Sequence, residues 1–483
     1  MKVRNRLVWI SAALLTATLT TRCDPGSTEG DMQQPPVVEM LSVTDALPKQ
    51  MRNSGGTTIT LTGTGFQPGA TVTIAGAPAQ DVMVLASTTI QCKSPLKVAT
   101  CGQVPIVVTN PDGKSADRAD LISFLTNGLQ YSVPTSVMMG TFPRQVLAVD
   151  LNKDGKVDLV SANSGNANQS VVFRIGSGDG TFMAANAFTA GSSTYGAAVA
   201  DFNKDGNLDV ATVNSASNDI SVRLATGAAV FGTSTTYGSG ADPRAIAAGD
   251  VNGDGATDLV TVSFASSNIS VYLNKNDGSG TFQNASSSAV GTSPVHLVLA
   301  DINKDGKLDV ITANSNGNNL SLRMGIGNGT FATAVALNAG SSPVFVATSD
   351  WNGDGKLDIA VVNNGITTGS YVVSILTGDG NGGFGQITNV DIGNTTVPRG
   401  AVVGDFNKDG KPDLAVAGYG NNTIPVLLGK GDGTFEPVIS LTGPANPQSV
   451  DTADFDGDGW PDLVATTSIA GSQNVSVLLG KCK

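Results

Sequence analysis

A nine-residue pattern of acidic and amide side chains recurs seven times in the chain. It has the form Asp-x-Asn-x-Asp-Gly-x-x-Asp, with an aspartate replacing the asparagine in the last copy, and the copies begin at Asp150, Asp201, Asp250, Asp301, Asp350, Asp405 and Asp454. Side-chain oxygens at positions 1, 3, 5 and 9, together with the backbone carbonyl at position 7, form a donor set that suits Ca²⁺. Glycine at position 6 allows a tight bend, because it adopts positive φ without a Cβ clash. The pattern therefore predicts seven calcium loops.

The predicted ligands stand at positions 1, 3, 5, 7 and 9 of each copy. They are Asp150, Asn152, Asp154, Lys156, Asp158, Asp201, Asn203, Asp205, Asn207, Asp209, Asp250, Asn252, Asp254, Ala256, Asp258, Asp301, Asn303, Asp305, Lys307, Asp309, Asp350, Asn352, Asp354, Lys356, Asp358, Asp405, Asn407, Asp409, Lys411, Asp413, Asp454, Asp456, Asp458, Trp460 and Asp462. Three carboxylates within nine residues repel one another unless a cation lies between them, which argues against plain turns. Magnesium prefers a tighter octahedron with retained waters, so we expect about seven structural calcium ions.

The loops mark one structural unit that is repeated along the chain. Successive copies start 51, 49, 51, 49, 55 and 49 residues apart. Each unit has one apolar run before the loop, two after it, and then Gly-Thr-Phe or a variant that leads into a last strand. Four short strands and a period of about 50 residues predict the blade of a β-propeller, and seven units suit a closed ring.

The two ends of this ring are predicted to meet in one blade. The last unit ends at VSVLLGKCK and has no Gly-Thr-Phe strand of its own. Tyr131 stands 19 residues before Asp150, as Phe182 stands 19 residues before Asp201. The segment 131–140 therefore occupies the place of the missing strand, and we expect it to complete the seventh blade without leaving an open edge.

The loops and their flanking strands resemble the FG-GAP/VCBS repeats of integrin-α-like seven-bladed propellers. An EF-hand shares the opening pattern, but it needs a glutamate at position 12 and flanking helices. Here position 12 is apolar or small, and the flanks are strand-like. The resemblance covers residues 127–483. It implies that each loop joins the first two strands of a blade and holds calcium, and that the opposite face and the central channel remain for partners.

A different pattern covers residues 36–126. Short stretches in which polar and apolar residues alternate, such as TTITLTGTGF and VPIVVTNPDG, predict antiparallel strands of a β-sandwich. The paired glycines at 55–56, the GTGF at 63–66 and the NPDG turn at 110–113 resemble the immunoglobulin-like IPT/TIG family, whose members act as spacers or interaction modules outside the cell. In an oxidising compartment Cys92 and Cys101 are the expected disulfide pair.

The N-terminus predicts export. Residues 1–22 carry the basic start MKVRNR and an apolar run that is too short to span a bilayer, which is typical of a secretory signal. Cys23 follows this run, as in bacterial lipoprotein signals, and 23–35 suits a flexible tether. Arg22 departs from the small residue that such signals carry. An outer-membrane or cell-surface lipoprotein anchored at Cys23 and a secreted protein both stay open; we expect no transmembrane helix.

Composition and charge exclude some classes of function. The formal net charge of −12 argues against a nucleic-acid partner, which requires a basic face. The loops hold more than half of the 40 acidic residues, so bound calcium would neutralise much of this charge. A single histidine, His296, excludes catalytic sites that need two or more histidines. We expect no membrane contact beyond the anchor.

Two classes of function remain. The first is a non-catalytic, calcium-stabilised binding or adhesion protein, whose partner is an unknown extracellular protein or glycan; a lectin is its sharper form. Trp351 and Trp460 lie inside the loops and are expected to shield the ion rather than stack on a sugar. The second is a polysaccharide lyase with His296 or a tyrosine as base, although a packed or channel-lining role is expected for His296. The recurring phenylalanines are expected to be blade core: Phe182, Phe231, Phe282, Phe331, Phe384 and Phe435.

Overall fold

The structure is a computed structural model that describes residues 40–52, 55–95, 102–125, 129–165, 168, 170–365, 372–393, 397–469 and 472–481. The regular elements of these residues are β-strands, which confirms the predicted all-β class. Within these ranges no helix is long and apolar enough to cross a membrane. The signal, the tether, Cys23 and Cys101 lie outside the described residues, so the predictions made for them remain predictions.

Two sheets pack face to face ahead of the repeats. One sheet, in the order β1-β3-β7-β6, contains β1 (Ser42–Leu47), β3 (Thr58–Thr64), β6 (Gln80–Ala86) and β7 (Thr89–Lys93); the other, in the order β2-β9-β8-β4-β5, contains β2 (Gln50–Arg52), β4 (Thr71–Ile74), β5 (Ala77–Pro78), β8 (Gly102–Thr109) and β9 (Ser115–Leu125).

The core of this sandwich follows the alternation seen in the sequence. In β3, Ile59 and Leu61 are fully buried while Thr58 and Thr62 face solvent, because successive side chains of a strand point to opposite faces. Cys92 is buried in the same core and forms no disulfide with a described residue; burial raises the pKa of its thiol to about 11. Its expected partner, Cys101, is not described, and the disulfide stays a prediction.

Seven four-stranded antiparallel sheets follow within the described residues, and we call them together the ring. In chain order they contain β12 (Pro143–Val149), β13 (Asp158–Asn163), β14 (Val171–Arg174) and β15 (Asn186–Phe188); β16 (Thr194–Ala200), β17 (Asp209–Asn214), β18 (Asp219–Gly227) and β19 (Val230–Gly238); β20 (Pro243–Gly249), β21 (Asp258–Ser263), β22 (Asn268–Tyr272) and β23 (Ser286–Ala289); β24 (Pro294–Ala300), β25 (Asp309–Asn314), β26 (Asn319–Arg323) and β27 (Val335–Asn338); β28 (Pro343–Ser349), β29 (Asp358–Asn363), β30 (Val372–Gly378) and β31 (Phe384–Asp391); β32 (Pro398–Gly404), β33 (Asp413–Gly418), β34 (Thr423–Leu427) and β35 (Ile439–Thr442); and β36 (Val450–Ala453), β37 (Asp462–Thr466), β38 (Asn474–Leu478) and β11 (Thr135–Met138).

The first strands of neighbouring sheets contact one another all the way round the ring, and β36 contacts β12. Side chains reinforce these contacts: Gln145 Oε1 accepts a hydrogen bond from Ala197 N at 2.7 Å, and Asp451 Oδ2 accepts one from Ala148 N at 2.9 Å. The second strands are buried along their whole length, because a neighbouring sheet covers each face.

The last sheet combines strands from both ends of the ring. β11 pairs antiparallel with β38, with Ser136 opposite Ser476, and β10 (Gln130–Tyr131) pairs with β39 (Gly480–Lys481). The Tyr131 hydroxyl also donates a hydrogen bond to the Pro461 carbonyl at 3.1 Å. The described strands thus close the ring through non-covalent contacts alone.

The second residue of each loop anchors the core between two sheets. Phe202 packs edge to face on Phe282 of the next sheet, with ring centroids 5.5 Å apart, and Phe455 packs in the same way on Phe182 at 5.7 Å. Tyr131 holds the corresponding place in the last sheet, where it joins the core cluster that contains Phe406. The recurring aromatic residues therefore serve as packing between sheets.

Candidate functional site

The seven acidic loops lie at one end of the sheets. Each runs from the end of a first strand to the start of the second, so that in the first sheet Val149 pairs with Asp158, and Asp158 is both position 9 of the loop and the first residue of β13. Antiparallel pairing therefore brings the two ends of every loop together. The predicted ligands of one copy converge because the hairpin closes them on each other.

Hydrogen bonds inside the first loop turn its side-chain oxygens inward. Asp150 Oδ1 accepts from Asp154 N at 3.0 Å, and Asp150 Oδ2 accepts from Gly155 N at 2.9 Å. Asn152 Oδ1 accepts from Asp154 N at 3.1 Å. The bond from the amide of position 6 to the carboxylate of position 1 measures 2.8 or 2.9 Å in all seven loops.

The loop backbone is left-handed at positions 4 and 6. In the first loop φ is 60° at Lys153 and 84° at Gly155. A Cβ added to Gly155 would meet nothing within 4 Å, so the glycine satisfies a backbone conformation rather than a steric limit. Position 4 is either lysine or glycine in the seven copies, and it has positive φ in each.

The aspartate at position 9 is buried, and two backbone hydrogen bonds to its carboxylate are common to all seven loops. Asp158 Oδ2 accepts from Leu151 N at 2.9 Å, and Oδ1 accepts from Gly176 N, just beyond the third strand, at 2.8 Å. The two bonds recur in every copy at 2.6–3.1 Å. This residue therefore ties the loop to its own sheet in addition to its predicted role as a ligand.

One signal in the sequence could have revealed this second role. A Cβ at Gly176 would lie 2.1 Å from the Val157 carbonyl oxygen, so glycine accommodates the close approach of the two chains in this sheet. Glycine occupies the corresponding place in four further sheets, at Gly325, Gly378, Gly429 and Gly480. The glycine after the third apolar run thus marks the partner of the position 9 aspartate.

The electrostatics of the loops suit a cation. Burial, together with a smaller effect of neighbouring loop carboxylates, raises the pKa of Asp413 and Asp462 to about 7, although the backbone hydrogen bonds that they accept lower it. In the seventh loop, carboxylate oxygens of Asp454, Asp456 and Asp462 lie within 4.8 Å of one another. A divalent cation among such groups reverses the effect, because it favours the charged carboxylates. The donors are all oxygen atoms, so the residues present fit Ca²⁺.

Lysines at position 4 connect neighbouring loops. Lys153 Nζ donates to the Gly206 carbonyl of the second loop, and Lys304 Nζ donates to the Gly355 carbonyl of the fifth loop. Lys408 lies over the Trp460 ring of the seventh loop, 5.2 Å from its centroid. These contacts link the acidic loops side by side around one face of the ring.

The two loop tryptophans offer no exposed platform for a sugar. Trp351 is 2% exposed and packs on Phe435, with ring centroids 6.1 Å apart. Trp460 is 8% exposed. Burial therefore removes the saccharide site considered at these residues, and it agrees with a role in packing the loops.

A second candidate site lies at the opposite end of the first strands. It is a cavity of about 360 Å³ at the centre of the ring, bounded by residues near the start of the first strand of each sheet. The residue six places before each loop lines it: Arg144, Tyr195, Arg244, Val295, Val344, Arg399 and Gln448. Sequence reasoning missed these arginines as a group, because only ring closure brings them together.

His296 lies in the wall of this cavity. Its ring centroid is 4.0 Å from that of Phe345, and its Nδ1 accepts a hydrogen bond from Val346 N at 3.4 Å. Burial lowers the His296 pKa to about 4, so the imidazole is neutral at pH 7. The structure thus places this histidine as a channel-lining residue that packs on an aromatic neighbour.

Comparison with known proteins identifies both parts of the chain. The FG-GAP-like repeat family matches residues 150–212, 201–261, 250–312, 301–361, 363–416 and 405–465, and the IPT/TIG domain matches 41–124. No curated protein sequence matches the chain.

Three solved structures resemble parts of it weakly. A protein of unknown function from Desulfotomaculum acetoxidans is 12% identical and has a TM-score of 0.43, with 70% of this chain and 96% of that chain covered. The periplasmic gluconolactonase of Pseudomonas aeruginosa is 12% identical, at a TM-score of 0.49 and coverages of 72% and 94%. The Tc holotoxin pore of Photorhabdus luminescens is 16% identical, at a TM-score of 0.34 and coverages of 81% and 16%. Similarity at this level carries no statement about activity. The FG-GAP-like repeat model, by contrast, matches more than half of the length of the present chain. The chain therefore belongs to the FG-GAP-like repeat family, with an IPT/TIG domain ahead of its repeats.

Proposed function

We propose that this protein is a non-catalytic binding or adhesion protein that acts outside the cytoplasm and is stabilised by calcium. The repetition of the loops is the observation that carries the proposal. All seven copies share the hydrogen bond from position 6 to position 1, and all seven attach to their own sheet through the position 9 aspartate. A catalytic metal needs one site with an open position, whereas seven equivalent sites serve the ring as a whole.

Calcium would act on the loops by removing repulsion. The side-chain oxygens at positions 1, 3, 5 and 9 and the carbonyl at position 7 would hold the ion, which supplies the positive charge that the clustered carboxylates lack. In the first loop, Asp150 is already fixed by amides of its own turn, and Asp158 is fixed by the third strand. The ion would therefore hold the first, second and third strands of each sheet together at one end.

Two further features support action outside the cytoplasm. The sequence begins with a secretory pattern. Loops of the kind found in extracellular modules bind calcium with dissociation constants of about 10⁻⁴ to 10⁻³ M, and such affinities suit the calcium concentration outside cells. Attachment of the mature protein through Cys23 would place it at the cell surface, and cleavage without lipidation would release it.

Metal analysis combined with thermal unfolding tests the proposal. The purified mature protein, dialysed against calcium, should contain close to seven ions. Chelation should destabilise the ring, because 10 mM calcium contributes about 1.4–2.7 kcal/mol for each loop at the affinities above. Calcium added back after chelation should restore the melting temperature, and magnesium at the same concentration should restore less. A chain that holds one ion or none and melts alike in calcium and in chelator would overturn the proposal.

A polysaccharide lyase is the second candidate, because His296 and three arginines line the same cavity. The hydrogen bonding of His296 argues against a role as base. Since Nδ1 accepts from Val346 N, the neutral ring carries its proton on Nε2, and that nitrogen cannot accept another proton without a change of tautomer. Turnover of an acidic polysaccharide by the wild type that disappears in His296→Ala would establish the lyase instead.

A further inference from the structure

We propose that the central cavity binds a small polyhydroxylated carboxylate, such as a uronic acid unit, with Arg399 as its main contact. This inference deepens the proposed function and rests on it, because it names the ligand class of a binding protein. The cavity is lined by Arg144, Arg244 and Arg399, and its lining contains no aspartate or glutamate. A cationic pocket in a chain of net charge −12 stands apart from the rest of the composition.

Two of the three arginines are held in place by neighbouring side chains. Arg244 donates to both carboxylate oxygens of Asp242, at 2.7 and 2.6 Å, and lies over the Tyr195 ring at 4.5 Å. Arg144 donates from Nε to Ser164 Oγ at 2.8 Å and lies over the same tyrosine ring at 5.0 Å. Arg144 also donates from Nη1 to Gln448 Oε1 at 3.1 Å, and its Nη2 has no hydrogen bond to a described residue. These guanidinium groups are therefore fixed before any ligand arrives.

Arg399 differs from the other two. Its guanidinium lies over the Tyr419 ring at 5.4 Å, and no described residue accepts a hydrogen bond from it. Its Nε is buried without a partner. A buried donor without an acceptor is costly, and such a group in a native protein calls for an explanation. An anion that enters the cavity would supply acceptors for the terminal nitrogens of the same guanidinium, which donate to no described residue.

The size and the other walls of the cavity indicate the kind of anion. A volume of about 360 Å³ falls within the range of small-molecule sites, which is about 300–1,000 Å³, and is too small for a folded domain. The fork of a guanidinium matches a planar carboxylate in two parallel hydrogen bonds. Asn364 and Ser315 add amide and hydroxyl groups to the wall, which suit the hydroxyls of a sugar acid. Sulfate esters share the negative charge but not the planar shape.

Isothermal titration calorimetry with galacturonic acid tests the assignment. The free calcium concentration is kept equal and saturating in both solutions, and galactose and galactose 6-sulfate serve as comparison ligands. The wild type should bind galacturonate saturably, more tightly than the sulfate, and should not bind galactose. Binding should weaken as sodium chloride is raised, because the contact is ionic. Absence of galacturonate binding, or equal binding of galactose, would overturn the proposal, and tighter binding of the sulfate would overturn the choice of carboxylate.

Variants locate the site. Arg399→Gln should weaken galacturonate binding at least tenfold, and Arg118→Ala in the sandwich, where Arg118 pairs with the exposed Asp120, should leave it unchanged. An unchanged affinity in Arg399→Gln would overturn the assignment of this cavity. Because Arg399 makes no hydrogen bond within the described residues, the variant should keep its calcium content and melting temperature. If the protein holds about seven ions and binds no galacturonate, only this inference fails; if it holds none, the proposed function fails as well.

Discussion

The two faces of the ring contrast, although the same first strands build both. On the loop face each strand ends in the same aspartate pattern, and the contacts around the aspartates repeat seven times. On the cavity face, the residue six places before each loop is arginine, tyrosine, valine or glutamine. A repeated element serves what every sheet needs, which is stability. A site for one ligand requires different side chains from different sheets, so the irregular face is where a specific function belongs.

Removal of a position 9 aspartate should cause the largest loss of stability. Asp413→Ala leaves the buried amides of Phe406 and Gly429, now 2.8 and 2.7 Å from the carboxylate, without an acceptor. A buried donor left unsatisfied costs about 1–3 kcal/mol, so we expect a loss of about 2–6 kcal/mol in the free energy of unfolding, measured with urea. A loss below about 0.5 kcal/mol would show that the loop face is not the stabilising one.

The dependence of stability on pH should change sign with calcium. The folded pKa of Asp413 and of Asp462 is raised to about 7 without metal, above the unfolded value, so the folded state binds these protons more tightly. In chelator, this contribution to stability is therefore fully present below the unfolded pKa of about 4 and is lost as pH rises from about 4 through 7, by up to about 1.4 kcal/mol per pH unit for each group.

With calcium bound, the same carboxylates are held charged, and stability should instead fall as the pH is lowered because protons compete with the ion. Melting curves between about pH 5 and pH 7, in calcium and in chelator, measure the two slopes. Equal slopes under both conditions would contradict a role of these carboxylates in binding the ion.

A glycine of the loop bend should matter more than a glycine elsewhere in the ring. Gly155→Ala places a side chain at φ 84°, which we expect to cost about 1–2 kcal/mol. Gly227 is the matched control, because a Cβ there also meets nothing within 4 Å and its φ is not positive. Gly227→Ala should leave the urea midpoint nearly unchanged. A similar loss of stability in both variants would show that the loop glycine matters no more than another glycine of the ring.

The smallest effect on stability is expected on the cavity face. Arg399→Gln removes a side chain that donates no hydrogen bond to a described residue, so the free energy of unfolding should change by less than about 0.5 kcal/mol. Urea unfolding in calcium measures this. A loss as large as that of Asp413→Ala would show that the cavity arginines are part of the scaffold, and the contrast between the two faces would no longer hold.

The sequence predicted the all-β class, the IPT/TIG domain and the FG-GAP repeats, because their signals are local: alternation within strands, a fixed period and turn residues at set positions. It also placed the candidate metal ligands, which lie within nine residues of one another. It could not show that Asp158 accepts from Gly176 as well, since this contact depends on how the third strand lies beside the loop.

The cavity could not be predicted for a similar reason. Arg144, Arg244 and Arg399 are separated by about a hundred residues or more, and only closure of the ring makes them line one space. The burial of Trp351 followed from its place at position 2 of a loop, where the other copies have Leu, Phe, Val or Ile in the core between sheets. Position within the repeat thus predicted the burial of this side chain better than residue type did.

The pairing of β11 with β38 also sets the order in which the molecule forms. Ser136 lies opposite Ser476, so β11 is separated from its partner by 340 residues of chain. Until the intervening sheets have formed, β11 and the face of β12 that contacts β36 lack their neighbours, and an unpaired strand edge can take a strand from another chain. We therefore expect closure to be the last step of folding and exchange of β11 between two incomplete rings to be its side reaction, seen as a dimer that forms only during refolding at high protein concentration.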